Sequence, residues 1–186
     1  MSDAPITPRA RARAETTQAI KDIARREVAE HGAESLSLRA VARELGVVSS
    51  AVYRYVASRD ELLTLLIIDA YDAVGAAAED AAADTSGDFS QRWLRVVRAV
   101  RAWAVAHPHD YALVYGSPVP GYQAPTDTVD PALRVSMDAL GVVADGVRDG
   151  QVSIDAPPGP VAPAVRADLD RIRTGLQLEL SDEVLA

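Results

Sequence analysis

Apolar residues return at helical spacing through the first third of the chain. Ile20, Ile23, Ala24 and Val28 recur three and four positions apart, which marks one face of a helix. The predicted element runs from about Arg11 to His31, with Gly32 placed to end it in a left-handed cap. Residues 1–9, polar and proline-bearing, read as a loose arm. Ser37 stands before Leu38-Arg39-Ala40-Val41-Ala42-Arg43-Glu44-Leu45 as an N-cap before two helical turns, and Gly46 closes them. A short third helix is predicted from about Ser49 to Val56. Ser58 caps a fourth, with Asp60 and Glu61 at the positive end of its dipole. That helix continues through Leu62, Leu63, Leu66 and Ala70 into the alanine-rich stretch 76–83.

After a loop at Thr85-Ser86-Gly87-Asp88, a helix is predicted over about 89–106. At roughly 100° per residue from Arg92, the positions Trp93, Val96, Val97, Val100, Trp103 and Ala104 fall between about 20° and 140°. This arc is the predicted buried face. Arg95, Arg98 and Arg101 fall at about 300°, 240° and 180°, so the arginine arc with Arg92 reads as a solvated, salt-bridged face. A short helix follows Pro108 and ends near Gly116; residues 117–131, with four prolines and a glycine, read as irregular. Further helices are predicted over about 131–149, ending at Gly150, and about 162–174, before Gly175. Asp182 looks like the start of another, but a one-turn helix at a free end has almost no stability of its own, so either the tail is frayed or the sequence is a fragment of a longer one. Without a strand pattern of useful length, the expected fold is all-α.

Composition then narrows the chemistry. The chain has 186 residues, 48% apolar and 25% charged, a globular balance for one or two domains. With no cysteine, a disulfide scaffold, a Cys-ligated zinc site and thiol catalysis are excluded. The longest near-apolar run, Leu62 to Ile68, stops at Asp69, far short of the about 20 residues a membrane span needs. The polar N-terminus lacks a signal peptide's apolar core, so a soluble cytoplasmic protein is expected. The formal charge of −8 is unevenly spread: residues 1–60 carry ten Arg/Lys against eight Asp/Glu, and residues 61–186 carry nine against nineteen. A segment able to approach a polyanion is thus joined to one that a polyanion would repel.

Residues 37–56 carry the most specific pattern. Two helices crossing through a short turn need a small residue at the crossing, a residue tolerant of positive φ in the turn, and an apolar seal. Ala42, then Gly46, then Val41, Leu45, Val47 and Val52 meet those needs. The outer face of the second helix would offer Ser49, Ser50, Tyr53 and Arg54, the arrangement of a helix whose first residues meet base edges in a major groove. Spacing alone leaves an ordinary helical hairpin as the other reading.

Residues from about 14 to 70 resemble the N-terminal domain of TetR-type transcriptional regulators. The resemblance is carried by Glu30-His31-Gly32, Ser35-Leu36-Ser37-Leu38-Arg39, Leu45-Gly46-Val47, Val52-Tyr53-Arg54-Tyr55-Val56 and Ser58-Arg59-Asp60-Glu61-Leu62-Leu63. Val48 departs from the Ser or Thr usual before the recognition helix, so Ser49 is expected to take over the cap and shift the helix start by a residue. Tyr55 and Val56 replace a frequent His-Phe pair. The resemblance implies an N-terminal three-helix helix-turn-helix domain and a C-terminal helical bundle. The expected divisions are an arm over 1–12, a DNA-binding domain over 13–72 with the helix-turn-helix at 37–56, and a ligand-binding and dimerisation domain over 73–186, short of its last helices. It also implies phosphate contacts by Ser37, Arg39 and Arg59, and groove contacts by Ser49, Ser50, Ala51 and Tyr53, with Arg54 reaching a base edge or the backbone and Tyr55 counted among the DNA-binding residues; the Arg9-Arg11-Arg13 arm either adds minor-groove or backbone contacts or is a solvated tail. The partners implied are operator DNA, a small-molecule effector and a second copy of the chain.

The remainder more weakly resembles a TetR-like effector domain through its Trp-bearing helix, Ala106-His107-Pro108-His109-Asp110-Tyr111, and Tyr115-Gly116-Ser117-Pro118-Val119-Pro120-Gly121-Tyr122. Trp93, Val97, Trp103, Tyr111, Tyr115 and Tyr122 are the candidate pocket lining; the alternative is that they are core. His107, His109 and Asp110 lie together beside Pro108 with no further His or Cys partner apparent, so no metal and no cofactor is expected. No nucleophile elbow or phosphate-binding glycine loop is present, and an enzyme is not expected. The competing class is a helical interaction module without a DNA role.

Overall fold

The computed structural model describes residues 7–153 together with 162, 163, 165, 166, 169, 170 and 174. Seven α-helices stand among the described residues: α1 Pro8–His31, α2 Leu38–Glu44, α3 Ser49–Val52, α4 Arg59–Ala83, α5 Phe89–Ala106, α6 Pro108–Tyr115 and α7 Val129–Arg148. Short 3-10 turns occupy Ala33–Ser35 and Thr126–Thr128. No strand occurs among the described residues, so the fold is all-helical as expected. The described positions of the predicted helix over 162–174, from 163 onward, are helical. Gly175 and the helix start at Asp182 lie outside the described residues.

Two compact units form. One takes the chain up to Ala73 with Ala104–Ala132; the other takes Val74–Trp103 with Leu133 onward. Where the sequence suggests a boundary near residue 72, the N-terminal unit thus also holds α6 and the segment after it. Its core gathers Ile20, Ile23, Ala24 and Val28 of α1 with Leu38, Val41 and Ala42 of α2, Val52, Val56, and Leu62, Leu63, Leu66 and Ile67 of α4. Each fully buried Leu, Ile or Val of this kind contributes about 1.5–3 kcal/mol. In the second unit, among the described residues, a core cluster holds Ala78, Val96 and Val142, flanked by Phe89, Trp93, Val100 and Val135. Gly146 of α7 is needed there, because a Cβ would come within 2.7 Å of the Phe89 ring.

The elements differ from expectation in definable ways. Helix α1 begins at Pro8, so residues 8–12 of the supposed arm are helical. Thr7 accepts a hydrogen bond from the Ala10 amide at 3.2 Å and Pro8 stands in the first turn, where its fixed φ and missing N–H cost nothing. Helix α3 is one turn, shorter than the stretch to Val56, and Val48 remains its N-cap residue, so Ser49 does not take over. Helix α7 starts at Val129, before Pro131, because the first turn of a helix has no carbonyl partner for those amides anyway. Val97, at the edge of the predicted buried arc of α5, is 44% exposed. The Arg92 side chain, placed on the solvated arc, is only 11% exposed, held in an ion pair with Asp145 of α7.

Candidate nucleic-acid interface

The α2–α3 turn is built from its hydrogen bonds. Val47 N–H donates to Ala42 C=O at 3.0 Å and Gly46 N–H to Arg43 C=O at 3.2 Å, the paired bonds of a Schellman ending. That ending needs the residue after the C-cap at positive φ, and Gly46 has φ 73°. Val41, Ala42 and Val52 seal the crossing at no more than 1% exposure. Leu45 is half-buried. Val47, expected in the seal, is instead exposed, because the positive-φ glycine turns the chain outward just before it.

With Val52 turned inward, the opposite side of α3 faces out. Tyr53 is 51% exposed, Ser50 and Arg54 are exposed, and Ser49 and Ala51 are half-buried. Tyr53 donates its backbone N–H to Ser49 C=O at 3.2 Å, leaving the side chain clear of the helix. Ser37 holds the N-cap position of α2 with φ −141°, but its hydroxyl makes no cap bond. Arg39 is exposed on the first turn of α2.

Two predicted contact residues are engaged within the unit. Tyr55 packs against the core and carries the Arg13 guanidinium over its ring at 5.2 Å, a cation–π contact. Arg59 Nη2 donates to Ala33 C=O at 3.0 Å and Nη1 to Asp60 at 2.9 Å. The framework beneath the reading face is set by ion pairs and a cap. Arg26 of α1 pairs with Glu44 of α2 at 2.5 Å. Lys21 and Arg25 both reach Asp69 of α4 at 2.7 Å. The Ser58 hydroxyl accepts the Glu61 amide at 3.0 Å, and Glu61 returns to the Ala57 amide at 2.5 Å, a variant of the reciprocal capping box.

Comparison with known proteins places this geometry. Residues 20–66 match the family described as bacterial regulatory proteins, tetR family, and residues 93–174 match the tetracyclin repressor-like C-terminal domain. The HTH-type transcriptional regulators Rv1816 of Mycobacterium tuberculosis (strain H37Rv) and Mb1846 of Mycobacterium bovis are each 45% identical over 181 residues, covering 94% of this chain and 74% of theirs. The chain belongs to the TetR family. Among solved structures, that of the regulatory protein SCO4313 superposes with TM-score 0.71 at 35% identity, covering 96% of this chain and 79% of that one. PfmR of Thermus thermophilus shares the fold at TM-score 0.58 and 21% identity, over 88% and 87% of the two chains. This TetR-family chain is therefore a transcriptional regulator with a helix-turn-helix DNA-binding domain, matched over residues 20–66. The interaction module without a DNA role is set aside.

In this TetR-family regulator the expected pocket lining divides between the units. Trp93, Val97 and Trp103 belong to the second, where Trp93 stacks near Phe89 with ring centroids 6.2 Å apart. Tyr111, Tyr115 and Tyr122 belong to the N-terminal unit. Tyr111 and Tyr115 are in ring contact at 5.1 Å, and the Tyr122 hydroxyl lies 2.8 Å from that of Thr64. A cleft of about 740 Å³ in the N-terminal unit is lined instead by the end of α1, the Ala33–Ser35 turn, α6 and Ser117-Pro118-Val119. Of the His107–Asp110 group, His109 lines that cleft while Asp110 faces Arg25 at 3.6 Å. Among the described residues no three His, Cys, Asp or Glu converge as metal ligands, and no helix is long and apolar enough to cross a membrane.

Sequence reasoning leaves the Arg9-Arg11-Arg13 arm as a minor-groove or backbone contact or a solvated tail, and misses that α1 begins at Pro8 and sets Arg9 and Arg13 on one helical face. The signal was available: Thr7-Pro8 is an N-cap followed by a first-turn proline, and Arg9, Arg13 and Ile20 share one helical face.

Proposed function

We propose that this regulator is a ligand-relieved repressor acting in the cytoplasm as a homodimer. The observation that carries the reading is the outward face of α3, with Tyr53 and Arg54 exposed above a crossing sealed by Val41, Ala42 and Val52. In this reading Ser49, Ser50, Ala51 and Tyr53 meet base edges, while Ser37 and Arg39 hold phosphates and set register. The Ser37 hydroxyl, unused as a cap, is available for that contact. Tyr55 and Arg59 position the reading face through their contacts within the unit. Two copies would present their α3 helices about 34–36 Å apart to a near-palindromic operator.

The effector is proposed to be an apolar or aromatic small molecule, with Trp93, Val97 and Trp103 of the second unit as its candidate surface; Tyr111, Tyr115 and Tyr122 belong to the N-terminal unit and are left out of it. It relieves repression only by binding the DNA-free arrangement more tightly, and a few kcal/mol of difference suffices. The test is selection of duplexes from genomic fragments, followed by footprinting and reporter transcription. A protected near-palindrome whose reporter is silenced is the expected result; protection of a single half-site or reporter activation would overturn the dimeric-repressor reading. Effectors would be sought through the fluorescence of the two tryptophans.

A further inference from the structure

The first turns of α1 form a basic cleft with the residues that follow α3. Arg9, Ala12, Arg13, Thr16, Arg54 and Tyr55 line a hollow of about 270 Å³. Arg9 and Arg13, four residues apart, lie on the face of α1 that buries Ile20 farther along. Arg13 is held on two sides: its Nη1 donates to Arg54 C=O at 3.2 Å, and its guanidinium sits over the Tyr55 ring at 5.2 Å. Arg9 and Arg54 are exposed. Among the described residues no carboxylate forms an ion pair with Arg9, Arg13 or Arg54, in contrast to Lys21, Arg25, Arg26, Arg59, Arg92 and Arg95, each paired with an Asp or Glu.

Three guanidiniums around one hollow repel one another, and the capped first turn of α1 brings Arg9 there. An anion in the hollow would relieve that repulsion, and guanidinium groups match the oxygens of a phosphate in bidentate fashion. The hollow is several times the roughly 30 Å³ of a water molecule, enough for one phosphate group. It also adjoins the end of α3: Arg54 follows Tyr53 of the reading face directly. A phosphate bordering the groove that α3 enters is the anion this position meets first.

We propose that Arg9, Arg13 and Arg54 form a seat for one backbone phosphate of the operator, beside the groove read by α3. The proposal rests on the DNA-reading face described above. It assigns Arg54 to the backbone rather than to a base edge, and makes the N-terminal turns of α1 part of the interface. Contacts of this kind hold every sequence alike. Arg13 is the positioned member, and Arg9 and Arg54 close over the phosphate from either side.

The test uses the full chain, a duplex selected from random sequence and a scrambled duplex of equal length, with affinity followed by anisotropy across a salt series. Arg9→Ala and Arg54→Ala should each weaken both duplexes by a similar factor, of about three- to tenfold, and lower the log K against log salt slope by about one. Arg9→Lys should restore the slope. Replacing single phosphates of the selected duplex by uncharged methylphosphonates should find one position that weakens the parent but leaves Arg9→Ala unchanged. Thermal unfolding of each variant in the absence of DNA controls for folding. Inorganic phosphate serves as the free-anion arm. Stabilisation of the parent by millimolar phosphate, with no change of DNA salt slope in either variant, would assign the seat to a free phosphorylated ligand and overturn its operator role. Unchanged slopes with tight parental binding overturn the seat alone, as does an Arg54→Ala effect confined to the selected duplex. Failure of the parent to prefer any duplex would overturn the DNA-reading assignment itself.

Discussion

Arg59 Nη2 donates to the main-chain carbonyl of Ala33 at 3.0 Å, tying the start of α4 to the turn between α1 and α2. The position reads from sequence as a phosphate contact, yet the guanidinium is 29% exposed and shared between that carbonyl and Asp60. Arg59→Ala is therefore expected to cost about 1–2 kcal/mol of stability, the size of a charge-assisted bond to a carbonyl. Urea unfolding measures the loss. DNA affinity should fall with the salt slope intact; a slope lowered by about one would restore the phosphate role.

Gly46 is the second structural dependence. At φ 73°, with nothing within 4 Å of a built Cβ, a side chain there has room but the wrong backbone. Gly46→Ala should destabilise the chain by about 1–2 kcal/mol through conformation alone. Gly46→Asn should recover part of it, since Asn tolerates positive φ. Equal losses for Ala and Asn, read by chemical unfolding, would point to a packing cause instead.

How much of this is legible in the sequence divides by physical cause. The core face of α1 is legible residue for residue, because Ile20, Ile23, Ala24 and Val28 repeat at a period only a helix satisfies. The Gly46 turn is legible because its backbone admits few other residues. The start of α1 is not: apolar periodicity stops at Ile20, and only the Thr7-Pro8 cap marks the added turns. The effector surface is least legible. Aromatic residues at helical spacing look alike whether they line a pocket or fill a core, and Val97, at the edge of the predicted arc of α5, is 44% exposed.

Tyr53 tests the reading face directly. Its ring is 51% exposed beside the exposed Ser50, so truncation removes no core contact. Tyr53→Ala should weaken binding to the selected duplex about tenfold, near 1.4 kcal/mol, and leave the scrambled duplex and the salt slope nearly unchanged. Equal weakening of both duplexes would move Tyr53 to the backbone.

Asp145 sets an acid limit on the second unit. Its carboxylate accepts Arg92 at 2.5 Å and Arg148 at 2.7 Å. The hydrogen bond from Arg92, working against partial burial and joined by Arg148, holds its pKa below the ordinary carboxylate value. A depressed folded pKa gives stability that is present above the unfolded pKa and lost as pH falls through the folded one. Asp145→Asn should thus be less stable than the parent at neutral pH by about 1–3 kcal/mol, leaving Arg92 without its charge partner. The two should converge in acid below the usual carboxylate range. A difference independent of pH, measured by urea unfolding, would show that shape rather than charge matters.

Asp138, about two turns before Asp145 on α7, behaves in the opposite sense. Its Oδ2 is buried without a hydrogen-bond partner among the described residues. Burial first, then the neighbouring Glu79 carboxylate, raises its pKa, with Arg134 opposing. A raised folded pKa in an acid means the charged form is held at a cost when pH is neutral, and protonation relieves that cost as pH falls. Asp138→Asn removes the charge at nearly constant shape. The variant should therefore be more stable than the parent at about pH 7, by about 1 kcal/mol or less, with the gain lost in acid below the usual carboxylate range, once the parental carboxyl has taken up its proton. Unfolding curves at neutral and acid pH give the comparison. A loss of stability at both would mean that the carboxylate is paired in solution, and a gain at both would trace to the amide's own hydrogen bonds rather than to relief of a desolvated charge.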